Sequence, residues 1–234
     1  MIEHKNNLDK STLWIFGHSV CLPFNLESPD DGWDILLSKK LDYNLVNLAR
    51  PATDNFFIYQ CYLQNKSKIK KQDTVLISWS HYSRKSFVLD RTNQQQLDVL
   101  DQSLIYKTNN YEFIRGVNKS VNDSNKWLAM IPVSRGVKYY DTWFENYYSA
   151  YEQKCNFQSY FDSVISSCGA TYLPFFLSEE SILDIDVSAV PNAGSVVEFI
   201  LKNNVMISDN DIHFNVAGHG LWAEHLYNIL KHEH

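Results

Sequence analysis

Glycine is scarce in this chain. It supplies 8 of the 234 residues, about half of the ~7% that is usual. Those eight nowhere spell GxGxxG or GxxxxGK followed by Ser or Thr, so the glycine-rich loops that cradle nucleotide phosphates are excluded in their usual forms. The four cysteines, Cys21, Cys61, Cys155 and Cys168, contain no Cys-x-x-Cys spacing; this speaks against a zinc knuckle or a dithiol redox pair, and they read as reduced thiols. Positive charge is short as well, with 21 Lys and Arg against 27 Asp and Glu and a formal net charge of −6. No dense basic block supplies the concentrated charge that a phosphate backbone demands, and the lysines between Lys66 and Lys71 read as a solvated helix end, so nucleic acid is not an expected partner. No apolar run approaches the ~18 residues of a membrane span. The segment from Leu13 to Phe24 imitates a signal core but holds Gly17, His18 and Ser19 and is followed by no small-residue cleavage site. No membrane partner is expected, and a cytoplasmic location is the default.

What is present is a regular alternation. Thr12–Phe16, Tyr43–Leu48, Thr74–Trp79 and Ala170–Leu177 are short runs rich in β-branched or aromatic residues, apolar on both alternating faces as strands buried from both sides require. Between them lie helical patterns. Asp30 or Asp31 can cap a helix carrying Trp33, Leu36, Leu37 and Leu41 on one stripe, Asp54 or Asn55 can cap one reaching about Lys66, and a polar helix is expected over 94–106. An aromatic helix follows from about Thr142 to Cys168, Ser195 and Glu198 form a capping box for a helix to about Lys202, and a last helix runs from Val216 to Lys231. Strand, helix, strand, helix is the α/β order. The expected fold is a three-layer α/β/α, flavodoxin-like parallel sheet of about five strands in one domain over 1–234, with an irregular insertion at about 107–137 that shapes the pocket.

Two places carry candidate chemistry. The first strand runs into Gly17-His18-Ser19, which puts a serine at the carboxyl edge of the sheet, where open α/β folds bind ligands. Backbone N–H groups after such a serine are placed to stabilise an oxyanion. Near the other end stands Asp211-Ile212-His213; residues i and i+2 of extended backbone share a side, so the carboxylate can orient the imidazole. Locally each has a plainer reading, Ser19 as a turn residue and Asp211 or Asp209 as a helix-entry cap. Cys21 reads as a small buried thiol, and His18 as a pocket-wall or structural residue rather than the base. His213, His219 and His225 recur at sixes, which does not place them on one helix face, so no metal is assigned.

Together these segments resemble the SGNH (GDSL-type) hydrolases over most of the chain. Phe16-Gly17-His18-Ser19 matches the family's Gly-Asp-Ser nucleophile motif except at His18, and Asp211-Ile212-His213 through Gly218 to Ala223 matches its Asp/His motif and following helix. The family's acid stands three before its histidine, where this chain has Asn210; Asp211 is the assigned acid, with Asp209 as substitute. In the second block, Asn47 to Asn55, Ala52 occupies the position of the family's oxyanion glycine, and a backbone donor survives there only at negative φ. In the third, Ser78 to Arg84, the family's asparagine is missing and either Ser80 or His81 takes its place. The resemblance implies catalytic Ser19, Asp211 and His213, an oxyanion hole from Ser19, Ala52 and Ser80 or His81, substrate contacts from Asn55 and Arg84, and no cofactor. Arg84 has the further reading of an ion pair with Asp54. The implied activity is hydrolysis of an ester or acyl group on a small molecule or carbohydrate through an acyl-serine. Alternatives are O-acyl transfer to a glycan and an inactive binding module of the same fold. Oligomeric state is not readable from the sequence.

Overall fold

The computed structural model describes residues 2–3, 10–24, 26–51, 53–82, 84–90, 105–108, 111–114, 117–118, 126–131, 146–183, 185–209 and 211–232. The central sheet holds β1 (Ile2–Glu3), β2 (Thr12–Phe16), β3 (Asn44–Asn47), β4 (Thr74–Trp79) and β10 (Thr171–Phe176) in the order β1-β3-β2-β4-β10. β3, β2, β4 and β10 run parallel, with Thr12 beside Asn44, Leu13 beside Thr74 and Thr171 beside Thr74. The sheet has the expected five strands, four of them parallel. The remaining one, β1, pairs antiparallel with β3, Ile2 facing Asn47, an edge arrangement common on otherwise parallel sheets.

Alternation along the strands separates two cores. Leu13, Ile15, Leu45, Leu76, Leu173 and Phe175 face one side, where they meet α1 (Trp33–Leu41), α5 (Val196–Asn203) and α6 (Val216–His232) through Trp33, Leu37, Val196, Ile200, Trp222 and Leu226. Trp14, Phe16, Val75, Ile77, Trp79 and Phe176 face the other, against Ile58 and Tyr62 of α2 (Asn55–Asn65) and Phe157, Phe161 and Val164 of α3 (Ala150–Ser167). This is the expected α/β/α sandwich. Asp73, at the amino end of β4, ties the sheet together by accepting from Thr12 N at 2.9 Å, Trp14 Nε1 at 3.0 Å and Lys70 N at 2.8 Å.

Helix starts follow the side-chain oxygens. Asp54 accepts from Phe57 N at 2.8 Å, Ser149 from Glu152 N at 3.2 Å and Ser195 from Glu198 N at 3.4 Å. The α1 entry differs from expectation. Asp30 and Asp31 belong to a 3-10 turn, Pro29–Asp31, capped by Ser28, and Gly32 precedes α1 without a side-chain cap, because Pro29 starts its own turn where its missing N–H costs nothing.

The segment read as irregular holds strands. β5 (Lys85–Asp90) pairs antiparallel with β9 (Lys126–Ile131), β8 (Val117–Asn118) adds to β9, and β6 (Ile105–Thr108) pairs with β7 (Tyr111–Ile114). Ile105 and Tyr106 are thus strand, not the end of a polar helix, while the rest of that expected helix falls on 91–104, outside the described residues. These strands are short, the sequence between them is rich in Asn, Ser and Lys, and the partner of β5 lies far along the chain, so no local period announces them. The start of the aromatic helix, Trp143 and Phe144 included, also lies outside the described residues. Past β10 come the short α4 (Glu180–Leu183) and a two-stranded hairpin, β11 (Met206–Ser208) with β12 (Asp211–Phe214), which stands apart from the central sheet and feeds α6.

Candidate active site

β2 lies between β3 and β4, so the segments leaving these three strands share one carboxyl edge, with the serine turn in the middle. Gly17 allows that turn to sit tight. Its φ is +158°, and a Cβ there would stand 2.6 Å from Ser78 Cβ and 2.8 Å from Cys21 Sγ, closer than atoms pack. Residues Ser19–Cys21 then form one 3-10 turn whose own hydrogen bonds run from Cys21 N to His18 O and from Leu22 N to Ser19 O. Neither consumes the Ser19 N–H, as expected at a helical N-terminus. Asn47, the last residue of β3, anchors the turn from beside it, donating its Nδ2 to Cys21 O at 2.7 Å and to Asp34 Oδ2 at 2.8 Å. Sequence reasoning missed this role; the visible signal was a buried amide closing an apolar strand.

His18 is fully buried, with Nε2 3.1 Å from Ser78 Oγ. Burial, reinforced by the positive charge of Arg84 and by the proximity of His213, holds its imidazole far below the ordinary histidine range, so it is neutral. It braces β2 against β4, the structural role expected of it. Burial likewise pushes the Cys21 thiol up, which keeps it protonated and a poor nucleophile.

The Asp211–His213 pair forms on β12. His213 Nδ1 lies 2.6 Å from Asp211 Oδ1, and the His213 backbone N–H donates to the same oxygen at 3.0 Å. Desolvation pushes the Asp211 carboxyl up, but these hydrogen bonds and the imidazole's charge outweigh it and leave it below its usual value. An ionised carboxylate only accepts, so Nδ1 carries the proton. In the neutral imidazole Nε2 is then a bare lone pair, and it is buried without a hydrogen-bond partner. It makes no hydrogen bond to Ser19, although β12 packs against the Ser19–Cys21 turn and the Phe24 ring meets His213 edge-on at 5.1 Å. Asp209 is exposed in the hairpin turn, and Asn210 lies outside the described residues.

At the start of α2, Asn55 clamps Ser80. Its Oδ1 accepts from Ser80 N at 2.7 Å and its Nδ2 donates to Ser80 O at 2.9 Å, so this amide positions the loop after β4. Ser80 Oγ is fully buried with no partner. His81 points elsewhere, with Nε2 3.3 Å from Glu180 Oε2 and its ring stacked on Tyr82. Thr53, fully buried, donates its hydroxyl to Gly17 O at 3.1 Å and accepts from Arg84 Nη1 on its carbonyl at 3.4 Å. Ala52 lies outside the described residues. Among the described residues no group of three or more His, Cys, Asp or Glu is placed to hold a metal, and no helix is long and apolar enough to cross a membrane.

Solved structures superpose on nearly the whole of this frame. TesA does so with a TM-score of 0.52 at 13% identity, over 94% of this chain and 98% of its own. The psychrotrophic esterase EstA from Pseudoalteromonas sp., inhibited by monoethylphosphonate, gives 0.50 at 10% identity over 94% and 97%. The acetyl xylan esterase AlAXEase gives 0.50 at 12% identity over 93% and 98%. The chain shares the fold of these three proteins. No family model matches it, and no curated protein matches it in sequence. At these identities the likeness is one of fold. Within that fold this chain sets His18 before the serine and Ser80 and His81 after β4, and what these side chains touch is its own.

Proposed function

We propose that the protein is a serine ester hydrolase of esterase or deacetylase type, acting as one domain on an ester of a small molecule or carbohydrate. The observation that supports this most is the Asp211–His213 pair, whose 2.6 Å hydrogen bond leaves a buried, unpartnered Nε2 on the strand packed against the serine turn. Catalytic hydrogen bonds are often long or unmade without substrate and tighten on binding. Esterases among the proteins of like fold, one of them an acetyl xylan esterase, agree with the reading.

In this mechanism Ser19 Oγ attacks the ester carbonyl carbon while its proton passes to His213 Nε2. Asp211 holds the imidazole in the correct tautomer and stabilises the imidazolium that forms. The oxyanion is met by the Ser19 N–H, the Ala52 N–H and the Ser80 hydroxyl, the last favoured over His81 because its buried oxygen has no other partner while His81 is engaged by Glu180. Collapse breaks the ester bond, and the leaving alkoxide takes the proton from His213. Water, deprotonated by His213, then attacks the acyl-serine, and the proton returns to Ser19 Oγ. Turnover of 4-nitrophenyl acetate and labelling by a fluorophosphonate test the assignment together. Ser19→Ala should abolish both and melt like the wild type; a Ser19→Ala protein that keeps wild-type turnover rules it out.

A further inference from the structure

We propose that Arg84 forms an anion subsite beside Ser19, so that the preferred ester carries a carboxylate or phosphate on its acyl or alcohol part. This rests on the serine-hydrolase reading above. Arg84 follows β4 on the loop that the Asn55 amide fixes through Ser80, and its N–H donates to His81 O at 3.1 Å. Its guanidinium, with five N–H donors, makes one hydrogen bond among the described residues, the 3.4 Å contact to Thr53 O. Thr53 in turn is tied to Gly17 O and immediately follows Ala52. The cation is thereby held against the second block at the same sheet edge as the serine turn, and close enough to act electrostatically on His18, the neighbour of Ser19.

Asp54 attracts this cation, but its Oδ1 is committed to Phe57 N as the cap of α2. Burial works against the guanidinium's charge, and a desolvated cation with a single acceptor among the described residues is costly unless an anion completes it. The planar guanidinium fork matches a carboxylate or a phosphate in two parallel hydrogen bonds. A purely structural Arg84, bracing the Thr53 carbonyl, would instead affect every ester alike.

The test is binding, which keeps it separate from turnover. Ethyl hydrogen succinate, 1-acetylglycerol 3-phosphate and neutral ethyl butyrate are titrated by NMR into the full-length Ser19→Ala protein, with and without Arg84→Gln or Arg84→Lys. One of the anionic esters should bind about tenfold or more tighter than ethyl butyrate, with the carboxylate and phosphate arms showing which anion is taken. Arg84→Gln should erase that preference while leaving ethyl butyrate unchanged, and Arg84→Lys should keep part of it. Equal binding of all three esters, a preference that survives Arg84→Gln, or equal weakening of all three overturns the subsite. Failure of the hydrolase reading shows elsewhere, as wild-type turnover by Ser19→Ala, and leaves the binding result intact.

Discussion

Replacing Asp211 by Asn removes one charge and keeps the shape, so it isolates what the carboxylate does. In the proposed mechanism the imidazolium formed as Ser19 loses its proton lies beside that carboxylate, Nδ1 to Oδ1 being 2.6 Å. For unit charges about 4 Å apart the attraction is about 1 kcal/mol in water and about 4 kcal/mol at an effective dielectric of 20. At 1.36 kcal/mol per decade, that is a loss of about 5- to 1,000-fold in kcat/KM. In a fully buried triad the same change costs about 10⁴-fold. Here the Asp211 and His213 side chains are 36% and 29% exposed, so solvent screening favours the middle of the range, about 10²-fold. The carboxamide also lets an N–H face Nδ1 and hold the wrong tautomer, which lowers kcat more than it changes KM. The assay is initial-rate hydrolysis of 4-nitrophenyl acetate across pH 6–9, with the rate of fluorophosphonate labelling as a readout independent of substrate choice. Retention of activity within about twofold, or a larger loss from Asp209→Asn than from Asp211→Asn, would refute the assignment of the acid.

Three further outcomes follow from the packing around the site. Gly17→Ala forces a Cβ to 2.6 Å from Ser78 Cβ; overpacking of this kind costs about 1–3 kcal/mol, so thermal melting should drop by several degrees and labelling of Ser19 should slow, and an unchanged melt would show that the turn has room. Asn55→Ala leaves the buried Ser80 N–H and C=O without the amide that spans them, which should lower the free energy of urea unfolding by about 2–4 kcal/mol; a change under about 0.5 kcal/mol contradicts the clamp. Burial, with a smaller push from the charge of His213, lowers His219 from 6.5 to about 4. The unfolded chain therefore binds a proton in that window that the folded one does not, so stability is full above pH ~6.5, falls by up to about 3 kcal/mol as pH drops to 4 and levels off below it. Urea unfolding over this range should show a shallower slope in His219→Gln, and an identical slope would dismiss His219 as its source.

The strands were legible where burial on both faces made them so. Thr12–Phe16 and Thr74–Trp79 appear with the bounds their apolar runs suggest, and Asp54 and Ser195 cap the helices that their side chains announce. Patterning failed where pairing is non-local: β5 finds β9 across a long stretch of polar sequence, and nothing in Lys85–Asp90 alone names its partner. The same limit applied within the site. Asp211 and His213 were readable as a pair because they share one strand face, whereas the contacts of His18 with Ser78 and of Asn55 with Ser80 join different elements at the sheet edge. Asn55, expected to face substrate, is engaged with Ser80's backbone, and the one hydrogen bond of the Arg84 guanidinium among the described residues goes to a carbonyl that no local spacing indicates.

The bond from Trp33 N to His219 Nδ1, at 3.2 Å, joins residues 186 apart in the chain, and the hairpin bearing His213 lies just before that helix, against the turn bearing Ser19. Contacts that span so much chain form slowly, because loop closure must be completed before they contribute. The parallel pairing of β2 with β4 closes a much shorter loop. During refolding, burial of Trp14 and Trp79 on the other face of the sheet should precede the appearance of the proposed esterase activity, so the lag between the two signals would time the docking of the C-terminal hairpin and helix onto a sheet already formed.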